Sequence, residues 1–355
     1  MLKFSVFIRW SVMENSILLI GSALVSLLLS FPLQKFARST GLVDRPNDRK
    51  SHEGDTPLIG GIIIFLTILA FAILQEPTYL LPYFLALALG LADDRFQVNP
   101  SLRMLAQVLI ASLIASQIQI SSLGNLFGSE ITISVYPSYI FTTFAIVGLM
   151  NAFNLIDGLD GLCVTIFLVG YVGFWASMNF FPTGFFIMAG ACIGFLLQNF
   201  RFYLKKRARI FLGDGGAYLL GAIFAASLIG YSQGYFNEGN IYHNSPVLVL
   251  FTIMVPLNET LGVLIKRTFF DKKSFSVAGK DHMHYYIAET LGSKNKAVFL
   301  LNMVAVFWIL FSVTLHSLGA SNTVLFLIYL LILVMHTNTL ILFSKYKKKK
   351  KLASP

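Results

Sequence analysis

The chain reads as an all-α, polytopic membrane protein of about 10–11 transmembrane helices. Three observations predict this class. Its 355 residues are 56% hydrophobic with a mean hydropathy of +0.72, far above the range of water-soluble domains. Apolar runs recur along the whole length, separated by short polar segments. Alternation of polar and apolar residues at strand period is missing, which makes a transmembrane barrel a poor fit.

A lipid-spanning helix needs about 20 apolar residues, fewer where it ends in a polar pocket. By that rule the spans lie roughly at 16–36, 59–74, 79–92, 102–118, 139–155, 162–179, 183–200, 217–231, 245–266, 297–317 and 322–343. The third and eighth are short, so either is a candidate for a re-entrant segment. Residues 1–343 are read as a single multi-pass domain, and 344–355 as a basic cytoplasmic tail. The lysines from Lys347 to Lys351 suit anionic headgroups, with the tail otherwise disordered. Cys163 and Cys192 both fall inside spans and make neither a disulfide framework nor a zinc cluster, so they are packing residues.

Lys and Arg gather after the odd-numbered spans, with Arg103 and the 201–209 run counted among them; only Lys3 and Arg9 lie on the other side. The positive-inside rule then puts the N-terminus outside and the C-terminus in the cytoplasm. A start at Met13 would remove both off-side charges, which N-terminal sequencing tests.

The chemistry is expected in the cytoplasmic turns. The loop from Gly41 to Gly61 carries Arg45, Arg49, Lys50 and His52, and Pro46, Pro57 and Gly60-Gly61 break any helix there. Its cations suit a phosphate, and equally an ordinary positive-inside loop. Asp93-Asp94-Arg95 closes the third span. Adjacent carboxylates at a low-dielectric boundary repel, so holding both calls for a cation, and hard oxygen ligands suit Mg2+. Taken alone, a helix end with solvated acids explains that pair as well.

After span five comes Asn151-Ala152-Phe153-Asn154-Leu155-Ile156-Asp157-Gly158-Leu159-Asp160-Gly161. In a helix Asn151, Asn154 and Asp157 recur at i, i+3 and i+6 with Asp160 one step further, so all four are expected on one face. Carboxylates beside hydrocarbon are expensive and mark a site; the plainer account is a polar helix end with two turn glycines. Gly213, Gly215 and Gly216 around Asp214 let backbone amides approach an anion or a metal-bound phosphate. In Asp281-His282-Met283-His284-Tyr285 the histidines would point apart on a helix, so a loop or extended segment is expected. A zinc pair there lacks a third ligand nearby, so phosphate contact is the better functional reading, and histidines of an ordinary surface loop are a fair alternative.

Carboxylates, cations and glycine turns facing one compartment suit phosphoryl chemistry between a soluble and a lipid-borne phosphate. A transporter of a lipid-linked or anionic glycan is the alternative, although its ionisable groups would sit nearer mid-span.

These segments together resemble the polyprenyl-phosphate N-acetylhexosamine-1-phosphate transferases, with the MurNAc-pentapeptide phosphotransferase as a cousin. The likeness covers roughly residues 41–287 in five ordered motifs: Val43-Asp44-Arg45-Pro46 through Gly60-Gly61; Asp93-Asp94-Arg95-Phe96; Asn151 through Gly161; Phe211-Leu212-Gly213-Asp214; and the His-x-His loop. The resemblance implies transfer of an N-acetylamino-sugar 1-phosphate from a UDP-sugar to undecaprenyl phosphate, with UMP leaving, as the first step of O-antigen or another surface glycan. It implies Mg2+, with Mn2+ as the substitute, a bacterial inner-membrane location with a cytoplasmic active site, contact with membrane lipids, a homodimer and no nucleic-acid partner. Carried over by position, Asp93, Asp94 and Asp157 are catalytic and Asp214 binds the metal. Asn151, Asn154, Asp160, His282, His284, Arg49, Lys50 and His52 bind substrate. The chain departs from the family pattern at Tyr285, where a third His is usual, and at Glu259, where Asp is expected. Leu204 and Arg207 stand in place of Asn and Pro, and Gln97 stands where the cousin has Lys.

Overall fold

A computed structural model describes residues 2–45, 54–71, 79–178, 180–200, 207–235, 245–272, 279 and 281–353. It is mostly helical and falls into two compact units, residues 1–110 with 179–220 and residues 111–178 with 221–355.

In the first unit, α1 (Leu2–Thr40) packs against α7 (Thr183–Asn199). Small residues allow the close approach: Ser22 and Ser26 of α1 are fully buried against Gly190 and Gly194, and Ser26 donates its hydroxyl to Ala191 O at 2.7 Å. After α1, β1 (Val43–Asp44) pairs antiparallel with β2 (Thr56–Pro57). The chain then runs beside the segment that precedes α8 (Gly213–Ser232): Phe211 N–H donates to Pro57 O at 2.8 Å, and Gly60 N–H to Phe211 O at 3.0 Å. These bonds tie the entrance of α8 to the start of α2 (Gly60–Phe71). Next come α3 (Leu80–Phe96) and α4, which begins at Pro100 and ends at Ala115.

The second unit holds a short hairpin, β3 (Ser122–Leu126) with β4 (Ser129–Thr132), then α5 (Val135–Ile156) and α6 (Leu162–Ser177). Its core is aromatic. Phe153, Phe167, Tyr171 and Phe224 pack with ring centroids 5.0 to 6.0 Å apart, mostly edge to face. The chain continues through α9 (Pro246–Thr252), α10 (Met254–Ile265) with a π-helical extension Lys266–Asp271, α11 (Met283–Thr290), α12 (Lys294–Ser317) and α13 (Asn322–Ala353). Polar pairs stitch these helices together: Asn302 donates to Thr165 Oγ1 at 2.9 Å, and Tyr329 to Asn258 Oδ1 at 3.0 Å. Cys163 and Cys192 are both buried, and neither is in a disulfide.

Five described helices are long and apolar enough to cross a bilayer: 13–40, 135–156, 213–232, 294–317 and 322–347. A sixth span counts α9 and α10 as a pair bent by 82°. α2, α4, α6 and α7 are apolar but shorter, at 10–17 residues. The ninth span, expected to be continuous, is therefore broken. Pro256 has no N–H to give to the carbonyl of Thr252 and its ring crowds that position, so the helix stops and restarts at Met254. The tail, expected to be disordered, continues α13 to Ala353. Lysine is a good helix former. Lys347 also pairs with Glu289 and lies 4.7 Å from the Tyr286 ring centroid, both on α11.

Candidate functional site

In the first unit the sequence places a glycine, Gly90, one turn before Asp94 on α3. A Cβ at Gly90 would run into the backbone of Asp214 and Gly215, so only glycine lets α3 approach the first turn of α8 this closely. The result is electrostatic. Asp94 Oδ1 accepts the amide of Asp214 at 3.2 Å, and Oδ2 lies 3.5 Å from the amide of Gly215, so a carboxylate caps the positive end of α8. The carboxyl of Asp94 is pushed up to about 8, chiefly by burial and then by the charge of Asp214, against the downward pull of the two amides. Near neutral pH such a pair needs a proton or a cation beside it.

Asp93 is treated differently. It is buried and forms a 2.6 Å ion pair with Arg103 Nη1 of α4. The cation expected for the Asp93-Asp94 pair is thus supplied to Asp93 by the chain itself, ten residues on. Asp94 and Asp214 are neighbouring carboxylates, and hard oxygens of this kind suit a divalent cation such as Mg2+. Tyr218, one turn along α8 from Asp214, interacts electrostatically with Asp214, Arg103, Asp93 and Asp94. Its buried hydroxyl has no hydrogen-bond partner among the described residues.

In the second unit α5 ends at Ile156, and Asp157 is its C-cap with φ −76° and ψ 48°. Asn151 and Asn154 stay on the last turns of α5, whereas Asp157 and Asp160 lie in the turn beyond it, so the four do not share one helical face. Gly158 follows that C-cap, and Gly161, with a left-handed φ of 80°, is the N-cap of α6. Gly158 has a packing reason as well: a Cβ there would lie 2.5 Å from Tyr285 Oη and 2.6 Å from His284 Nε2. The Asp157–Gly158 turn therefore rests directly on the His-x-His segment.

That segment is part extended and part helical. His282 is extended, at φ −96° and ψ 152°, and caps α11, while His284 is in its first turn. The change of conformation turns the two rings to the same side, stacked at 5.4 Å. Upstream, Asp281 is gripped by Arg267, through Nη2 at 2.5 Å and Nε at 3.2 Å, and by Lys266 at 3.0 Å. Burial alone would raise the Asp281 carboxyl, but these two cations outweigh it and hold it well below the usual range. Below the rings is Glu259 of α10, which is fully buried. Glu259, His282 and His284 have ligand atoms all within 4.8 Å of one another.

Within the first unit, then, the fold joins Asp93, Asp94 and Asp214. Within the second it joins the Asp157–Gly158 turn to His282 and His284. Arg49, Lys50 and His52 lie outside the described residues. Sequence reasoning left Arg103 as a topology charge and gave Glu259 no role. The available signals were an arginine within an apolar run and a carboxylate inside the apolar stretch after Pro256.

A family model described as glycosyl transferase family 4 matches residues 77–232, from before α3 to the end of α8. An undecaprenyl-phosphate alpha-N-acetylglucosaminyl 1-phosphate transferase of Escherichia coli (strain K12) is 31% identical over 304 residues, covering 81% of this chain and 80% of its own length. Its counterpart of the same name from Thermotoga maritima is 30% identical over 313 residues, covering 88% of this chain and 92% of its own. The chain belongs to this family. It is accordingly a multi-pass membrane enzyme of the phosphoglycosyl transferase class, which sets aside the transporter reading. The family match takes in Asp93, Asp94, the 151–161 turn and Asp214, and stops short of Glu259, His282 and His284.

Proposed function

We propose that the protein transfers an N-acetylamino-sugar 1-phosphate from a UDP-sugar to undecaprenyl phosphate and releases UMP, initiating O-antigen or another cell-surface glycan. The observation that carries this reading is the Asp94 carboxylate seated on the amides of Asp214 and Gly215 beside a second carboxylate. That arrangement is suited to holding charge for a reaction between two phosphates. In the step, an oxygen of the lipid phosphate forms a bond to the β-phosphorus of the UDP-sugar. The bond from that phosphorus to the bridging oxygen breaks, and UMP leaves with the electron pair.

A phosphate monoester has a second pKa of about 6, so near neutral pH the attacking oxygen is already ionised and direct attack needs little base. Asp94 and Asp214 would hold Mg2+, which supplies charge neutralisation for the two phosphates. Asp93, fixed by Arg103, keeps the end of α3 in place for Asp94. Asp157, with Asn151, Asn154 and Asp160, lines the nucleotide and diphosphate end. His282 and His284 meet phosphoryl oxygens, joined by Arg49, Lys50 and His52. The shorter apolar helices are taken to cross the inner membrane along with the long ones, with these turns in the cytoplasm and two copies forming a dimer.

The test is direct. Purified protein, undecaprenyl phosphate and a panel of radiolabelled UDP-N-acetylamino sugars should give a butanol-extractable labelled lipid and UMP in equal amounts, in a Mg2+-dependent manner. No labelled lipid with any donor would defeat the reading.

A further inference from the structure

A carboxylate buried in an apolar helix is costly unless its lone pairs are used. Glu259, only 1% exposed, uses them on one short segment. Its Oε2 accepts the amide of Met283 at 3.1 Å, and its Oε1 accepts the amide of His284 at 2.9 Å. The same Oε1 lies 3.3 Å from His284 Nδ1, and Oε2 lies 3.7 Å from His282 Nδ1. Four nitrogens converge on a group with about four acceptor sites. Backbone amides can only donate. An imidazole nitrogen facing the same oxygen must donate too, because a lone pair there would repel the carboxylate.

The proton of His284 is thereby placed on Nδ1, and Nε2 becomes the free end of the ring. That atom is buried and has no hydrogen-bond partner within the described residues. It stands against Gly158, where a Cβ would come within 2.6 Å. The other titratable group facing Glu259 is His336 of α13, whose ring packs on Gly262 along α10. Tyr285 lies against His284 with ring centroids 4.2 Å apart. Lys266 and Arg267 are committed to Asp271 and Asp281. By spacing alone the Glu259–His282–His284 group could hold a metal ion. A metal would need the nitrogen lone pairs turned toward it, whereas the amides on both carboxylate oxygens favour N–H.

We infer that Glu259 is a positioning residue: its carboxylate holds the Nδ1–H of His284 and so aims Nε2 at the Asp157–Gly158 turn, where Nε2, once protonated, donates to a phosphoryl oxygen of the nucleotide sugar. This rests on the function proposed above. His284 touches substrate, and Glu259 acts through it.

The experiment compares wild type, Glu259→Gln, His284→Ala and the double variant for UMP release across pH. Glu259→Gln should lower kcat by about 10–100-fold, the range for groups that orient a functional histidine. The pH profile of UMP release should differ from that of wild type, because the group facing the imidazole is no longer a carboxylate. In the His284→Ala background the same change should cost nothing more. Equal losses in both backgrounds with an unmoved pH profile would overturn the inference in favour of a purely structural role. Spectra of 15N-histidine wild-type enzyme read the tautomer even if the variants fail to fold. His284 is expected as Nδ1–H, and an Nε2–H form would overturn the inference. So would zinc bound in equimolar amount by wild type and lost in Glu259→Gln. If wild type releases no UMP, the functional reading fails, while the tautomer still decides the role of Glu259.

Discussion

Two adjacent aspartates meet opposite fates in this protein, and the difference decides which of them is available for chemistry. Asp93 spends its charge on Arg103, whereas Asp94 is placed between two helix amides and the carboxylate of Asp214. Asp94 keeps its proton up to about pH 8 when folded, against an ordinary value of 3.8. Without metal the folded state therefore binds an extra proton between those values. The stability gained from it is fully present below the unfolded value and is lost as pH rises through the folded one. A cation replaces that proton. Mg2+ should thus raise the melting temperature little at pH 5 and progressively more toward pH 9, as followed by intrinsic fluorescence in detergent. A shift of equal size at every pH, or one that survives in Asp214→Asn, would contradict this placement.

At the scale of elements, two glycines set how closely the functional segments approach. Gly90→Ala puts a methyl group into the backbone of Gly215, and overpacking of this kind costs about 1–3 kcal/mol. It should lower both the melting temperature and activity, because the cap of Asp94 on α8 goes with it. Gly148 of α5 is the control: a Cβ there meets nothing within 4 Å, so Gly148→Ala should be neutral or stabilising by up to about 1 kcal/mol. Gly158→Ala should lower both the melting temperature and activity, since the added methyl displaces Tyr285 and the buried His284. Similar stability losses in Gly90→Ala and Gly148→Ala would argue against the close approach of α3 and α8. The aspartates and glycines of these turns were legible in the sequence because they interrupt hydrocarbon. Arg103 and Glu259 were not, because their meaning depends on partners 10 and 24–25 residues away. Helical spacing likewise put Asn151, Asn154, Asp157 and Asp160 on one face, but the chain leaves the helix at Asp157, before the pattern is complete.

For the whole molecule, hydropathy identified a helical membrane protein, and apolar content was enough for that because lipid leaves the backbone few alternatives. It did not foresee the break between α9 and α10, which depends on what Pro256 denies to Thr252. The charge distribution predicts a sidedness that labelling can check. Both native thiols are buried, so Tyr346→Cys on exposed α13 and Phe127→Cys at the exposed hairpin each report largely alone. A membrane-impermeant maleimide should reach Phe127→Cys from outside intact cells and Tyr346→Cys only after lysis; the reverse pattern would invert the orientation.

The central claim is that Asp94, Asp157 and Asp214, from three separate turns, serve one phosphoryl transfer. It is tested most directly by Mg2+-dependent UMP release from folded, membrane-extracted Asp94→Asn, Asp157→Asn and Asp214→Asn. Each is predicted to lose at least about 100-fold, the scale of removing a group that stabilises transition-state charge, while remaining monodisperse. Wild-type rates in all three would contradict the account.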